Sequence, residues 1–190
     1  QFISGHKDKL VKPLFSDIFR IIEEESGGAV RMSEPLLLEA ESFPDGLHKR
    51  VLRLAETGEP SWRRTCALNI LRFHSSSFSD TEILNVSTDQ AAHCDDSLVR
   101  EHAIRVLKQQ HEKNSIPKTQ ILELLASKFD KSRVAGLQLL IEVEPTLAVE
   151  TAKEFLKDGD AEVQATGLLT LSELDPDYAV EAARRKLDSY

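Results

Sequence analysis

The chain has 190 residues, of which 41% are hydrophobic and only 6% aromatic, with eight glycines and seven prolines. That size suits one continuous core better than two crowded ones, and the composition is helical, not that of a strand-rich sandwich. The net charge of −8 repels nucleic acid and anionic membranes on average, and no apolar run approaches the ~20 residues of a membrane span.

In chain order, "KPLFSDIFRIIEEES" (Lys12 to Ser26) predicts a helix ended by Gly27 and Gly28. "SEPLLLEAESF" (Ser33 to Phe43) predicts a second, with a serine cap and an early proline. "GLHKRVLRLAETGEP" predicts a third, from about Gly46 to Thr57. Residues 1–58 thus form irregular N-terminal helices, and 59–190 form regular pairs within one domain spanning 1–190. The sequence opens on Gln1 and not on Met, which leads us to expect a fragment of a longer protein or a processed form.

From Trp62 onward a pattern recurs. A small residue is followed by an apolar one and then by Leu three positions later: Ala67-Leu68-Leu71, Ala103-Ile104-Leu107, Gly136-Leu137-Leu140 and Gly167-Leu168-Leu171. The small residues are 36, 33 and 31 positions apart. Self-similarity at such a period marks stacked repeats. Each repeat reads as two helices. In the last full one, Pro145 opens helix A, whose buried face is Ala148, Val149, Ala152, Phe155 and Leu156. "KDGD" ends it, with Gly159 free to take positive φ and Asp160 placed to cap helix B. The other A helices start at Asp80 and Ile116. "EPTLAVETAKEFL" and "DPDYAVEAARRKL", 31 residues apart, are successive A helices. Packed helices lie ~8–10 Å apart, so the tightest crossing demands Ala or Gly.

"DDSLVREHAIRVL" and "GDAEVQATGLLTL" resemble the second helix of HEAT-type repeats, on Asp96, Val99, Arg100, Ala103, Ile104 and Leu107 and on Asp160, Val163, Gly167, Leu168 and Leu171. Gln164 stands where that pattern has Arg, Ser132 stands at a Val position with Arg133 kept, and Arg63 and Arg64 fill these places in the first copy. The resemblance runs from Ser61 to Leu187. The repeats are shorter than the ~40–47 residues usual for HEAT and armadillo units, so HEAT-like is the fitting name. It implies an all-α fold, an α-solenoid of stacked antiparallel helix pairs in a right-handed superhelix, with B helices lining a concave surface. Such proteins mostly hold peptides, helices or domains of partners, and the fold alone does not fix the function.

The chemistry-bearing residues do not assemble a motif. His93, Cys94, His102 and His111 lie close in sequence, but His93 and Cys94 point about 100° apart on a helix, and His102 and His111 face opposite ways. No HExxH or paired CxxC occurs, so no metal and no cofactor is expected. "SSSFSD" (Ser75 to Asp80) lacks a nucleophile elbow and reads as a loop with Ser79 or Asp80 as cap. Two cysteines, Cys66 and Cys94, suggest a reducing compartment: the cytoplasm, with the nucleus also open.

The arginines carry more information. From Gly46 to His74, six basic residues face two acidic ones, for a net of +4; from Ile141 to Tyr190, five face twelve, for a net of −7. Arg63, Arg64, Arg72, Arg100, Arg105 and Arg133 are the candidate partner-binding residues. Arg100 and Arg133 repeat the position of Arg64. Two readings stand: a row that grips an acidic peptide, phosphate or nucleic acid, or a structural ladder pairing with aspartates of neighbouring repeats. Trp62 likewise reads as a contact hot spot or as filler between repeats. The expectation is a non-catalytic interaction or scaffold module that binds a protein on the B-helix surface, with no membrane and no small-molecule substrate. The alternative is a nucleic-acid-associated or regulatory subunit of a modifying enzyme, using the basic segment 46–74.

Overall fold

The computed structural model describes residues 46–188, together with Asp17, Arg20 and Ile22. The helices expected over Lys12 to Ser26 and Ser33 to Phe43 lie outside the described residues, except for those three positions, which are helical. The described residues form nine α-helices: α1 (His48–Thr57), α2 (Trp62–Phe73), α3 (Asp80–His93), α4 (Ser97–Lys113), α5 (Lys118–Leu125), α6 (Asp130–Val143), α7 (Pro145–Phe155), α8 (Ala161–Leu174) and α9 (Pro176–Leu187). A short 3-10 turn, Ser75–Ser77, follows α2.

The boundaries follow from local chemistry. Ser79, Asp96, Asp160 and Asp175 each accept hydrogen bonds from first-turn backbone N–H groups of α3, α4, α8 and α9. Pro145 and Pro176 sit in the first turns of α7 and α9, where a missing N–H costs nothing. Helix α5 begins at Lys118, later than the expected Ile116. Pro117 disfavours helical backbone at the residue before it, and Ile116 is instead fully buried in the core. Gly159 does not take positive φ; among the described residues only Gly46 does. The end of α7 closes by tight turns in which Lys157 N–H donates to the Glu154 carbonyl and Asp158 N–H to that of Phe155. The last carbonyls are thereby satisfied without a left-handed residue.

Helices pack mostly on their sequential neighbours, as stacked pairs would. The even-numbered helices also form a row in which α2 meets α4, α4 meets α6 and α6 meets α8; α1 meets α3, and α3 meets α5. The core runs through this arrangement. Leu68, Leu71, Leu107, Leu137, Leu140 and Leu171, all from the recurring pattern, are fully buried. The small residues sit at the crossings. A Cβ on Gly167 would lie 2.8 Å from the Ala152 carbonyl oxygen and 2.9 Å from Phe155 Cβ, and one on Gly136 would lie 3.0–3.1 Å from Leu124 and Leu125. These distances account for glycine where the other copies carry alanine.

Candidate functional site

Arg64, Arg100 and Arg133 sit in the first turns of α2, α4 and α6 and turn into the stack. Arg64 donates to Cys94 Sγ at 3.4 Å and to Glu59 Oε1 at 3.0 Å. Arg100 donates to the carbonyls of Cys94 (2.7 Å) and Asp95 (2.8 Å), and its guanidinium lies 3.7 Å from the centroid of the Phe129 ring. Arg133 bridges Asp130 (2.7 Å) and Asp158 (2.9 Å) with a side chain only 19% exposed. Gln164, which replaces the arginine in α8, donates to the Asp158 carbonyl. All four side chains thus bind loop groups between paired helices.

Asp96, the cap of α4, belongs to the same system. The Ser61 hydroxyl, then the Val99 and Leu98 N–H groups, and the nearby Arg64 charge hold its carboxyl below the ordinary 3.8. A hydrogen bond from Lys128 does the same for Asp95, and one from Lys153 for Asp175.

The remaining sequence-selected arginines point elsewhere. Arg63 lies 5.3 Å from the Trp62 ring centroid and donates to the Glu59 carbonyl at 2.7 Å. With Arg50 and Arg53 it lines a cavity of about 370 Å³ at the α1–α2 turn. Arg72 stacks 5.0 Å from the Phe73 ring centroid. Trp62 is partly buried against the core. Arg105 is exposed, pairs with Glu101 one turn away, and lines a shallow groove of about 290 Å³.

That groove is made by even-numbered helices alone. Ile104, Arg105 and Lys108 come from α4; Lys131, Val134 and Gln138 come from α6; Glu162 comes from α8. The floor is apolar and the rim carries both charge signs. Leu169, the counterpart of Gln138 31 residues later, is 69% exposed on α8. An exposed leucine in register with a groove residue is a contact signal that charge counting in the sequence passes over.

The histidines separate as their spacing predicts. His102 Nδ1 lies 2.8 Å from Asn69 Oδ1 on α2, while His111 Nε2 lies 3.0 Å from Glu142 Oε2 on α6 and His93 Nε2 lies 2.9 Å from Glu123 Oε1 on α5. Among the described residues no group of three or more His, Cys, Asp or Glu side chains could hold a metal. Among them, too, no helix is long and apolar enough to cross a membrane. Cys66 and Cys94 are buried free thiols.

The polar fasteners that sequence reasoning missed are buried serines. Ser132 Oγ donates to the Ala91 carbonyl at 2.5 Å, and Ser127 Oγ to that of Ala92 at 2.6 Å. Both carbonyls belong to the last turn of α3, where no intrahelical donor remains. The signal for Ser132 was present: it breaks the valine position held by Val99 and Val163.

Searches against protein-family models, curated proteins and solved structures find no match to this chain.

Proposed function

We propose that the chain is a HEAT-like α-solenoid that serves as a non-catalytic binding module, gripping a protein partner on the surface of its even-numbered helices. The observation that carries this reading is the groove spanning α4, α6 and α8, with its apolar floor and its mixed-charge rim; Leu169, the exposed counterpart of Gln138 on α8, extends the same helix face. A helix or extended segment laid across several repeats would cover the apolar floor, and the rim charges would fix its register. Of the sequence-selected arginines, Arg105 belongs to this surface. Arg64, Arg100 and Arg133 support it from inside the stack.

A photo-crosslinking amino acid placed at Gln138 should yield a discrete protein adduct in cell extract. The same group at Glu150, exposed on α7, should not, and Leu169→Glu should abolish the Gln138 adduct. Equal labelling from both positions, or none from Gln138, would remove the proposal.

A second reading is favoured by one observation: Arg50, Arg53 and Arg63 meet at the α1–α2 cavity. Three guanidinium groups suit a phosphate-bearing partner, which is the nucleic-acid-associated alternative. That reading requires binding to single- or double-stranded oligonucleotide that weakens steeply with salt. No binding at low salt would end it.

A further inference from the structure

A second apolar surface lies at the other end of the helix row. Helices α7, α8 and α9 enclose an open groove of about 820 Å³, floored by Leu156, Ala165, Leu168 and Ala182. Its position has a meaning set by the rest of the stack. Each even-numbered helix from α4 onward packs both on its preceding odd-numbered partner and on the previous even-numbered helix. The groove occupies the same place relative to α9 and α8. The register agrees: 31 residues before Leu168 and Ala165 stand Leu137 and Val134, which are 0% and 8% exposed in the stack. Ala183, on the groove wall, is the counterpart of Ala152, against whose carbonyl Gly167 of α8 packs. The groove is therefore shaped for a helix that presents a small residue to Ala183 and apolar ones to Leu168.

Charge selects the occupant. Lys153, Lys157, Arg185 and Lys186 line the groove, and no carboxylate among the described residues does, although residues 141–190 are strongly acidic as a whole. Lys153 is held by Asp175 in a pair about one-third exposed and Lys186 donates to Gln164, whereas Lys157 pairs with Glu154 and Arg185 with Glu181 through side chains that are all more than half exposed. Such pairs exchange readily for a new partner. Two copies of the chain docked through this face would set one cation-lined groove against another, with no carboxylate among the described residues of either lining, which disfavours self-association.

We propose that this groove is a docking site for an acidic amphipathic helix of a partner protein, seated as a further even-numbered helix would be. The site is distinct from the groove over α4, α6 and α8, and its occupancy does not depend on the reading given to that surface.

The probe is a fluorescent synthetic helix with leucines at helical spacing, one central alanine, and glutamates along both flanks; its control replaces every glutamate with lysine. Titrated against the full chain, the glutamate peptide should bind at least about tenfold more tightly than the lysine peptide. Ala165 is exposed, so Ala165→Arg should leave the helical circular dichroism unchanged while weakening binding by more than about tenfold. The double variant Lys157→Glu/Arg185→Glu should reverse the preference between the peptides. Saturable binding lost in Ala165→Arg supports the site. Equal binding of both peptides, indifference to Ala165→Arg, no saturable binding of the glutamate peptide, or a concentration-dependent dimer that Ala165→Arg dissolves would each overturn it.

Discussion

Helices α6 and α8 carry the same pattern 31 residues apart, yet they live in different surroundings. Leu137 of α6 is fully buried, whereas its counterpart Leu168 on α8 is only partly buried and borders the open groove. Val134 is 8% exposed, while Ala165 is exposed outright. Like residues in like backbone thus acquire different duties according to what packs next to them. In the interior of the row the middle residue of the pattern, Leu137, is core. At its end the same position, Leu168, borders a groove, while Gly167 and Leu171 of that copy stay buried.

The contrast can be broken most forcefully with Leu137→Ala. It should cost about 3 kcal/mol in urea denaturation, because it leaves a closed cavity. Leu168→Ala should cost only about 1 kcal/mol, since solvent already reaches the site. Gly167→Leu comes next. Its side chain would meet the Ala152 carbonyl and Phe155, at a cost of roughly 2–3 kcal/mol by the same measurement. Gly159→Ala, with open space around it and no positive φ, should be neutral or stabilising by a few tenths of a kcal/mol.

Ser132→Val restores the residue type held by Val99 and Val163, and a pattern-only view predicts a gain. The Ala91 carbonyl would lose its buried donor, so a loss of about 1–2 kcal/mol is expected. A stabilised Ser132→Val would contradict the role assigned to the hydroxyl.

Asp96→Asn gives a smaller, pH-dependent effect. The folded state holds this carboxyl below 3.8, so its contribution is present at neutral pH and is lost as pH falls through the folded value. The variant should be less stable than the parent by up to about 1 kcal/mol at pH 6. Below the folded value the difference should vanish. A difference that stays constant from pH 6 to pH 2.5 would show that the charge is irrelevant. Lys128→Ala, at the solvent-exposed pair with Asp95, should leave the denaturation midpoint unchanged.

The helix pairs were legible because their signals are local. Capping aspartates, first-turn prolines and the small–apolar–Leu triplet each act within one or two turns, and they located α2, α4, α6 and α8 to within a few residues. What resisted reading depends on residues about 30 positions apart. Arg64 lies against Cys94 and Arg100 stacks on Phe129, and no periodicity within one helix says which way a guanidinium turns. Six arginines chosen by type and spacing therefore separate into groups, with Arg64, Arg100 and Arg133 in the interior of the stack, Arg63 at the α1–α2 cavity, Arg72 on Phe73, and Arg105 at the even-helix groove. Groove residues such as Ile104, Gln138 and Glu162 are ordinary helix residues in the sequence and become a surface only when three helices align. Gly159 illustrates the opposite error: a glycine after a helix suggested a left-handed cap, and consecutive tight turns made it unnecessary.

One repeated position is closed core at Leu137 in α6 and a groove-lining residue at Leu168 in α8. Thiol reactivity reads it directly. In a background with Cys66 and Cys94 replaced by alanine, Leu137→Cys and Leu168→Cys are treated with a thiol reagent under native conditions. Leu168→Cys should react directly from the folded state, slowed only by its partial burial, and Leu137→Cys only as fast as the protein opens, slower by several orders of magnitude. Equal rates at the two positions would contradict the account.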